Sequence, residues 1–280
     1  MTALSMPPVV LSIAGSDPSG GAGIQADLKT FTVLGTYGCA ALAGLTVQNT
    51  QGVRAAVPVD PALVRDQVIA VLDDLPVAAT KLGMLSNAEV AATVADLIDE
   101  RRADFGVIVL DPVMVATSGD RLLTEDAIAV VRDRLMPQAD LITPNLPEAA
   151  VLLGVEPAAD AGGLEAQARA LVAAGARAAL VKGGHLHGEL IDVLATPDET
   201  LVLRGTRVET RNTHGTGCTL SSAIAASAAR LGDTVATGIR PPSVTAAQDY
   251  LARAIAGGAD WCLSRTPDTG HGPVNHLVTL

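Results

Sequence analysis

The chain has 280 residues, 49% of them hydrophobic and 18% charged, which is enough length and apolar content to bury a substantial core. With 19 basic against 30 acidic residues the net charge is −11, and aromatics amount to 2%, so neither a basic surface nor a stacking platform for nucleic acid is present. Cys39, Cys218 and Cys262 form neither a disulfide framework nor a metal-ligand spacing, and no basic-flanked leader precedes the Pro7-Pro8 pair, so a cytoplasmic protein is expected. The uncharged run 30–53 is interrupted by Thr36, Tyr37, Gln48, Asn49, Gln51 and glycines, and is not read as a membrane span.

Residues 9–14 are an apolar run of strand length, followed by a glycine-rich loop and a helix over about 24–34 that should stop at a left-handed Gly35. The piece Gly21-Ala22-Gly23-Ile24-Gln25-Ala26 matches the dinucleotide fingerprint G-x-G-x-x-G/A. Pro18 and further loop residues separate it from the strand, and Thr46-Val47-Gln48-Asn49 stands where a ribose-binding carboxylate belongs, so a substrate loop is the better reading. A strand over 39–47 ends in the polar cluster 48–52, whose amides suit the donor and acceptor pattern of a heterocycle or simply a turn; Gln48 is the candidate reader. Asp60-Pro61 opens a helix with Val64, Val68, Val71 and Leu72 on one face.

A strand over 77–82 ends in Gly83-Met84-Leu85, and Ser86-Asn87-Ala88-Glu89 is a capping box for a helix to about Arg102. Strand 107–110 ends in Asp111-Pro112-Val113-Met114; a helix over about 124–135 and a strand over 141–143 lead to Pro144-Asn145-Leu146-Pro147-Glu148. A helix over 164–174 and a strand over 178–181 ending at Lys182 come next, then an edge hairpin from 191–194 and 201–206. The turn 212–218 then runs into an Ala-rich helix, where two glycines two residues apart and the free donors of a helix start make an anion site. Cys218 falls at that start, where a thiolate is favoured, although a small core residue is the plain alternative.

Repeated strand–helix units without an internal repeat or linker give one α/β domain over 1–280, with a mostly parallel sheet whose strand ends collect Asp17, Gln48, Met84, Asp111, Asn145, Glu148 and Lys182 on one rim. Lys182 and the anion turn suit phosphate, while Asp111, Asn145 and Glu148 are hard oxygen donors for magnesium or its waters. Each also has a structural alternative: Asp111 as a turn cap, Glu148 as the capping partner of Asn145, Lys182 as a solvated charge. His185, His187, His214 and His271 lack metal spacing.

The motifs AGSDPSGGAGIQAD (14–27), QNT (48–50), KLGML (81–85), DPVM (111–114), TPNLPE (143–148), VKGGH (181–185), HGTGCT (214–219) and GHGPV (270–274) together resemble the hydroxymethylpyrimidine/phosphomethylpyrimidine kinases of thiamine biosynthesis, in order and over nearly the whole chain. The resemblance implies a ribokinase-like three-layer α/β/α sandwich that uses Mg-ATP twice. It first phosphorylates 4-amino-5-hydroxymethyl-2-methylpyrimidine and then phosphorylates the monophosphate. By position it implies Cys218 as catalytic residue, with Gly215, Thr216 and Gly217 as anion hole, and Gln48 reading the pyrimidine beside Gly15, Asp17, Ala22, Met84 and Val113. It implies Asn145 and Glu148 as the Mg2+-organising pair, Lys182 with Asn145 and Asp111 at the ATP phosphates, and a possible homodimer. A pyridoxal kinase of the same fold is the rival enzyme, and a non-catalytic binder of a vitamin precursor is the rival of another class.

Overall fold

The computed structural model describes residues 6–114, 123–184, 186, 189–266 and 268–278. His185, His187 and the end of the 181–185 motif lie outside the described residues. Nine strands form one sheet: β1 (Val9–Ser16), β2 (Tyr37–Asn49), β3 (Gly52–Pro58), β4 (Val77–Leu82), β5 (Val107–Leu110), β6 (Leu141–Ile142), β7 (Ala179–Lys182), β8 (Leu190–Ala195) and β9 (Thr200–Gly205). Their order is β3-β2-β1-β4-β5-β6-β7-β8-β9, with the six strands from β2 to β7 parallel and β3, β8 and β9 antiparallel at the edges. The chain leaves β1 toward β2 on one side and leaves β4 toward β5 on the other. Their carboxyl ends therefore diverge and leave a crevice, the place where open α/β sheets bind ligands.

Both faces are covered, as the unbroken apolar runs of β1 and β5 require. On one face lie α1 (Gly23–Val33), α8 (Thr216–Leu231) and α9 (Pro241–Gly258), joined through Phe31, Leu220, Ile224 and Tyr250. On the other lie α2 (Pro61–Asp74), α3 (Ala88–Arg101), α4 (Glu125–Val130), α5 (Met136–Gln138), α6 (Leu146–Leu153) and α7 (Ala161–Ala173). Among the described residues no helix is long and apolar enough to cross a membrane.

Local signals held where the chemistry is local. Gly35 follows α1 at φ +72°, and Asp60 accepts from the Ala62 and Leu63 amides in front of Pro61. Elsewhere the structure differs from the sequence reading. Asn87, not Ser86, caps α3 by accepting from the Val90 amide, and Ser86 sits at φ +63°. The polar cluster after β2 is mostly a hairpin turn into β3, a strand whose Gly-Val-Arg-Ala-Ala-Val-Pro sequence is half-exposed to exposed and lacks an apolar face to announce it. Helix α6 starts within 144–148, for which the sequence reading offered only the Asn145–Glu148 capping pair, and Val71 is only partly buried. The helix expected over 124–135 continues through a π turn, Val131–Leu135, into α5; Pro137 has no amide hydrogen for the carbonyl four residues back, so the coil widens there.

Beneath the crevice Lys81 on β4 donates to both oxygens of Asp27 on α1 at 2.8 and 2.9 Å, with both side chains fully buried. Ser12 on β1 and Ser222 on α8 each donate to the same carboxylate at 2.6 Å. Burial pulls the Lys81 ammonium down, and the Asp27 carboxylate more than reverses this, so Lys81 stays charged. Lys81→Met should therefore destabilise the protein by about 3–5 kcal/mol, the cost of leaving one buried charge alone. Adding Asp27→Asn should recover part of that loss; urea unfolding of the two variants checks both, and a loss under about 1 kcal/mol for the single change would contradict it.

Candidate active site

A cleft of about 740 Å³ runs along the carboxyl ends of the strands, and every candidate side chain from the sequence lines it: Gly15, Asp17, Ala22, Gln48, Met84 and Val113 toward the β1 end, and Asp111, Asn145, Glu148 and Lys182 toward β5–β7, with residues 215–218 between. Lys81, Thr46, His214, Asp192 and Arg207 line it as well, and none of these was singled out by position in the sequence.

At the β1 end the backbone turns so closely that side chains are excluded. A Cβ on Gly15 would lie 2.3 Å from the Met84 methyl, so glycine there lets Met84 lie over the floor of the cleft. Asp17 lines the cleft and also organises its own loop. One carboxylate oxygen accepts from the Ser19 amide and hydroxyl (2.8 and 2.7 Å), and the other from the Gly21 and Ala22 amides (3.1 and 2.9 Å) and from His214 Nε2 (2.8 Å). Burial raises this carboxyl, but the bonds from His214 and Ser19 outweigh it and lower it to about 2. The glycine loop and the turn before α8 interlock at this point: a Cβ on Gly215 (φ +82°) would meet the Gly21 carbonyl at 1.8 Å, and one on Gly21 would meet the His214 ring at 2.4 Å.

Gly215 is the N-cap of α8, so the amides of Thr216, Gly217 and Cys218 belong to a first turn that has no intrahelical acceptors. Cys218 is half-buried at this end. Desolvation pushes its thiol up to about 11, although Lys81 and the Gly23 amide draw it down. The thiolate expected from the helix start alone is thus not the resting form of this residue, because dehydration outweighs the dipole.

Toward β5–β7 the cleft becomes ionic. Asp111 accepts from Lys182 Nζ at 3.0 Å and Thr143 Oγ1 at 3.1 Å on one oxygen, and from Ser221 at 3.3 Å on the other. Asn145 and Glu148 form a capping box on α6, the Asn145 side chain accepting from the Glu148 amide at 2.9 Å and the Glu148 carboxylate from the Asn145 amide at 2.8 Å. The structural role weighed from the sequence is therefore real, and the same carboxylate still lines the cleft. Burial raises Glu148 to about 7, with Lys182 opposing and Asp111 adding to the rise. Once Glu148 is ionised, two carboxylates stand against one ammonium, and that excess of negative charge suits a hard cation. Because Asn145 and Glu148 already bind backbone amides, their fit is to the waters of such an ion rather than to a closed protein cage. Among the described residues no cluster of three or more His, Cys, Asp or Glu could hold a metal alone.

The family model described as phosphomethylpyrimidine kinase matches residues 17–275. The hydroxymethylpyrimidine/phosphomethylpyrimidine kinase of Rhizobium meliloti is 48% identical over 274 residues, covering 97% of this chain and 98% of the relative. A phosphomethylpyrimidine kinase structure from Clostridium difficile superposes with a TM-score of 0.76 at 36% identity, covering 89% of this chain and 99% of that one. A pyridoxal kinase of Bacillus subtilis, solved as its ADP complex, does so with a TM-score of 0.83 at 33% identity, covering 97% and 98%. The fold is the ribokinase-like α/β/α sandwich.

The position of Glu148 has a consequence for the ligand-free protein. Its carboxyl holds a proton up to about pH 7 in the folded state against the usual 4.5, so the native state binds more protons between those values. Stability should consequently fall as pH rises from about 4.5 through about 7. Glu148→Gln should flatten that fall by on the order of 1–3 kcal/mol. Urea midpoints at pH 5 and pH 8 without nucleotide or metal check this, and a wild-type slope no steeper than the variant's would refute it.

Proposed function

The chain belongs to the phosphomethylpyrimidine kinase family, and we propose how its residues divide the labour of two ATP-dependent phosphorylations, first of the hydroxymethyl group of the aminopyrimidine and then of the resulting monophosphate. The observation that supports this reading is the continuity of the cleft: an end where the Gln48 amide stands beside apolar Met84 and a charged end at Asp111, Lys182 and Glu148 meet at the amino end of α8. An acceptor ring at one end and a nucleoside triphosphate at the other would bring the terminal phosphate to that helix start.

In this assignment Gln48 reads the ring, which packs on Met84, Val113 and the backbone of Gly15 and Ala22. The amides of Gly215, Thr216 and Gly217 receive the charge that spreads over the transferring phosphoryl oxygens, and Lys182 balances it from the side of Asp111. Magnesium carried with the triphosphate, its waters held by Glu148 and Asn145 beside Asp111, would supply further charge neutralisation. In its thiolate form Cys218 accepts the hydroxymethyl proton as the oxygen attacks. The second acceptor is a phosphomonoester whose second pKa is about 6, so it is already ionised near neutral pH and needs positioning without a base.

A pyridoxal-kinase activity is the second reading, favoured by the likeness to the Bacillus subtilis enzyme. ATP consumption with hydroxymethylpyrimidine, its monophosphate and pyridoxal, measured side by side, separates the two. The pyrimidine should win over pyridoxal by at least roughly 100-fold in kcat/KM, since a buried amide left unpaired against the wrong ring costs binding in the transition state. Equal or reversed preference would overturn the substrate assignment.

The role of Cys218 is visible in pH–rate profiles. With its thiol held up to about 11, the thiolate fraction grows throughout the neutral and mildly alkaline range, so kcat/KM for the alcohol should keep rising with pH there. For the monophosphate it should level off above about pH 7, once the acceptor is ionised. Cys218→Ala should lower the first step by roughly 10²–10⁴-fold and abolish its rise, with a distinctly smaller loss in the second. Equal losses in both steps with an intact melting curve would assign the thiol to phosphate geometry instead.

A further inference from the structure

Gln48 stands between two neighbours that constrain which way round its amide lies. In the structure its Oε1 lies 3.1 Å from Thr46 Oγ1 and its Nε2 lies 3.4 Å from His214 Nε2. The oxygen and nitrogen of a glutamine amide are close to indistinguishable in shape, so the donors and acceptors around it decide the orientation.

At the histidine end the argument begins with Asp17. Its carboxylate accepts from two donors on one oxygen and three on the other, one of the three being His214 Nε2 at 2.8 Å. A carboxylate held to about 2 has no proton to return, so Nε2 carries the hydrogen in that bond. A protonated ring nitrogen has no lone pair for an N–H, so the Gln48 NH2 at 3.4 Å sets donor against donor, and turning the amide over brings its oxygen there instead. At the threonine end the single hydroxyl hydrogen of Thr46 goes to the Ser16 carbonyl at 2.9 Å, the shorter of its two contacts. Thr46 Oγ1 is left as an acceptor and must face the amide nitrogen. Two unrelated contacts demand the same orientation.

We infer that Asp17 and His214 are positioning residues for ring specificity: with the Nε2 hydrogen of His214 committed to Asp17, the Gln48 amide settles turned over, with Oε1 toward His214 and the NH2 group toward Thr46. The free lone pair and the free N–H then point into the cleft in one fixed order. A ring edge with its donor and acceptor in the matching order is bound, and the reversed order sets donor against donor. Asp17 thus acts on substrate choice through the turn before α8. This rests on Gln48 being the ring reader; the lock itself does not depend on which ring is bound.

NMR of the isotope-labelled, ligand-free protein tests the lock directly. The His214 ring nitrogens should report a hydrogen on Nε2, and the Gln48 side-chain amide protons should show Overhauser contacts to the Thr46 methyl group and not to the His214 ring carbons' protons. Contacts to the His214 ring instead, or an unprotonated Nε2, overturn the inference whatever the substrate proves to be. Kinetics then test its consequence: His214→Phe should raise KM for the preferred acceptor about 10–100-fold, leave KM for ATP unchanged and alter kcat less than about threefold, and His214→Asn, which restores a side-chain N–H, should recover part of the loss. An unchanged acceptor KM in a folded His214→Phe protein would also sink it. Failure of the acceptor comparison between pyrimidine and pyridoxal, by contrast, would revise the substrate and leave the NMR result standing.

Discussion

The buried ion pair between Lys81 and Asp27 is the constraint on which the cleft depends. Four elements that meet at the point where the chain reverses its direction across the sheet, β1, α1, β4 and α8, are tied to one carboxylate through Ser12, Asp27 itself, Lys81 and Ser222. A fully buried charge tolerates few alternative arrangements, since any shift that lengthens these bonds leaves it unsolvated. The pair fixes α1 and α8 against the sheet, and with them the two helix starts that carry the glycine loop and residues 215–218. Its ammonium also lies close enough to Cys218 to act on the thiol, so the same group that holds the fold sets part of the electrostatics above it.

Above this floor the cleft divides by chemistry. At the β1 end the polar groups are mostly neutral or mutually satisfied: Gln48 and Thr46, with the Asp17 carboxylate saturated by its five donors. At the β5–β7 end Lys182 pairs with Asp111, and burial displaces Glu148 far enough to titrate near neutrality. The gradient matches a substrate pair of which one partner is a small ring and the other a chain of phosphates. The first turn of α8 lies at the junction, where backbone amides supply fixed positive ends without a side chain that must be reorganised.

The fold itself does not choose the ring. A pyridoxal kinase superposes on this chain with a TM-score of 0.83 and a phosphomethylpyrimidine kinase with 0.76, so overall likeness does not decide specificity. What distinguishes such enzymes has to reside in a few contacts. In this chain the contacts around Gln48 run from β2 to the β1 loop and to the turn before α8, with Met84 seated over Gly15 as the apolar wall.

Much of this was legible along the chain because it is local. The alternation of strands with helices, the Asp60 cap, the Gly35 stop and the glycine turn before α8 each follow from a few adjacent residues, and the rule that parallel strands gather their carboxyl ends on one rim brought the candidate residues to one cleft. The hairpin strand β3 escaped because it carries no apolar period, and the helix α6 because Leu146–Leu153 is little more than two turns. The functional detail that escaped is all long-range. His214 reaches Asp17 across 197 positions, Ser222 reaches Asp27 across 195, and Lys81 reaches Asp27 across 54. The ionisation of Cys218 followed the same rule: a helix start favours the thiolate, but the burial that reverses this comes from elements remote in sequence. Periodicity and capping act over a few residues and are written in order along the chain, whereas desolvation and the pairing of buried donors with acceptors exist only once distant segments have closed around the same small volume.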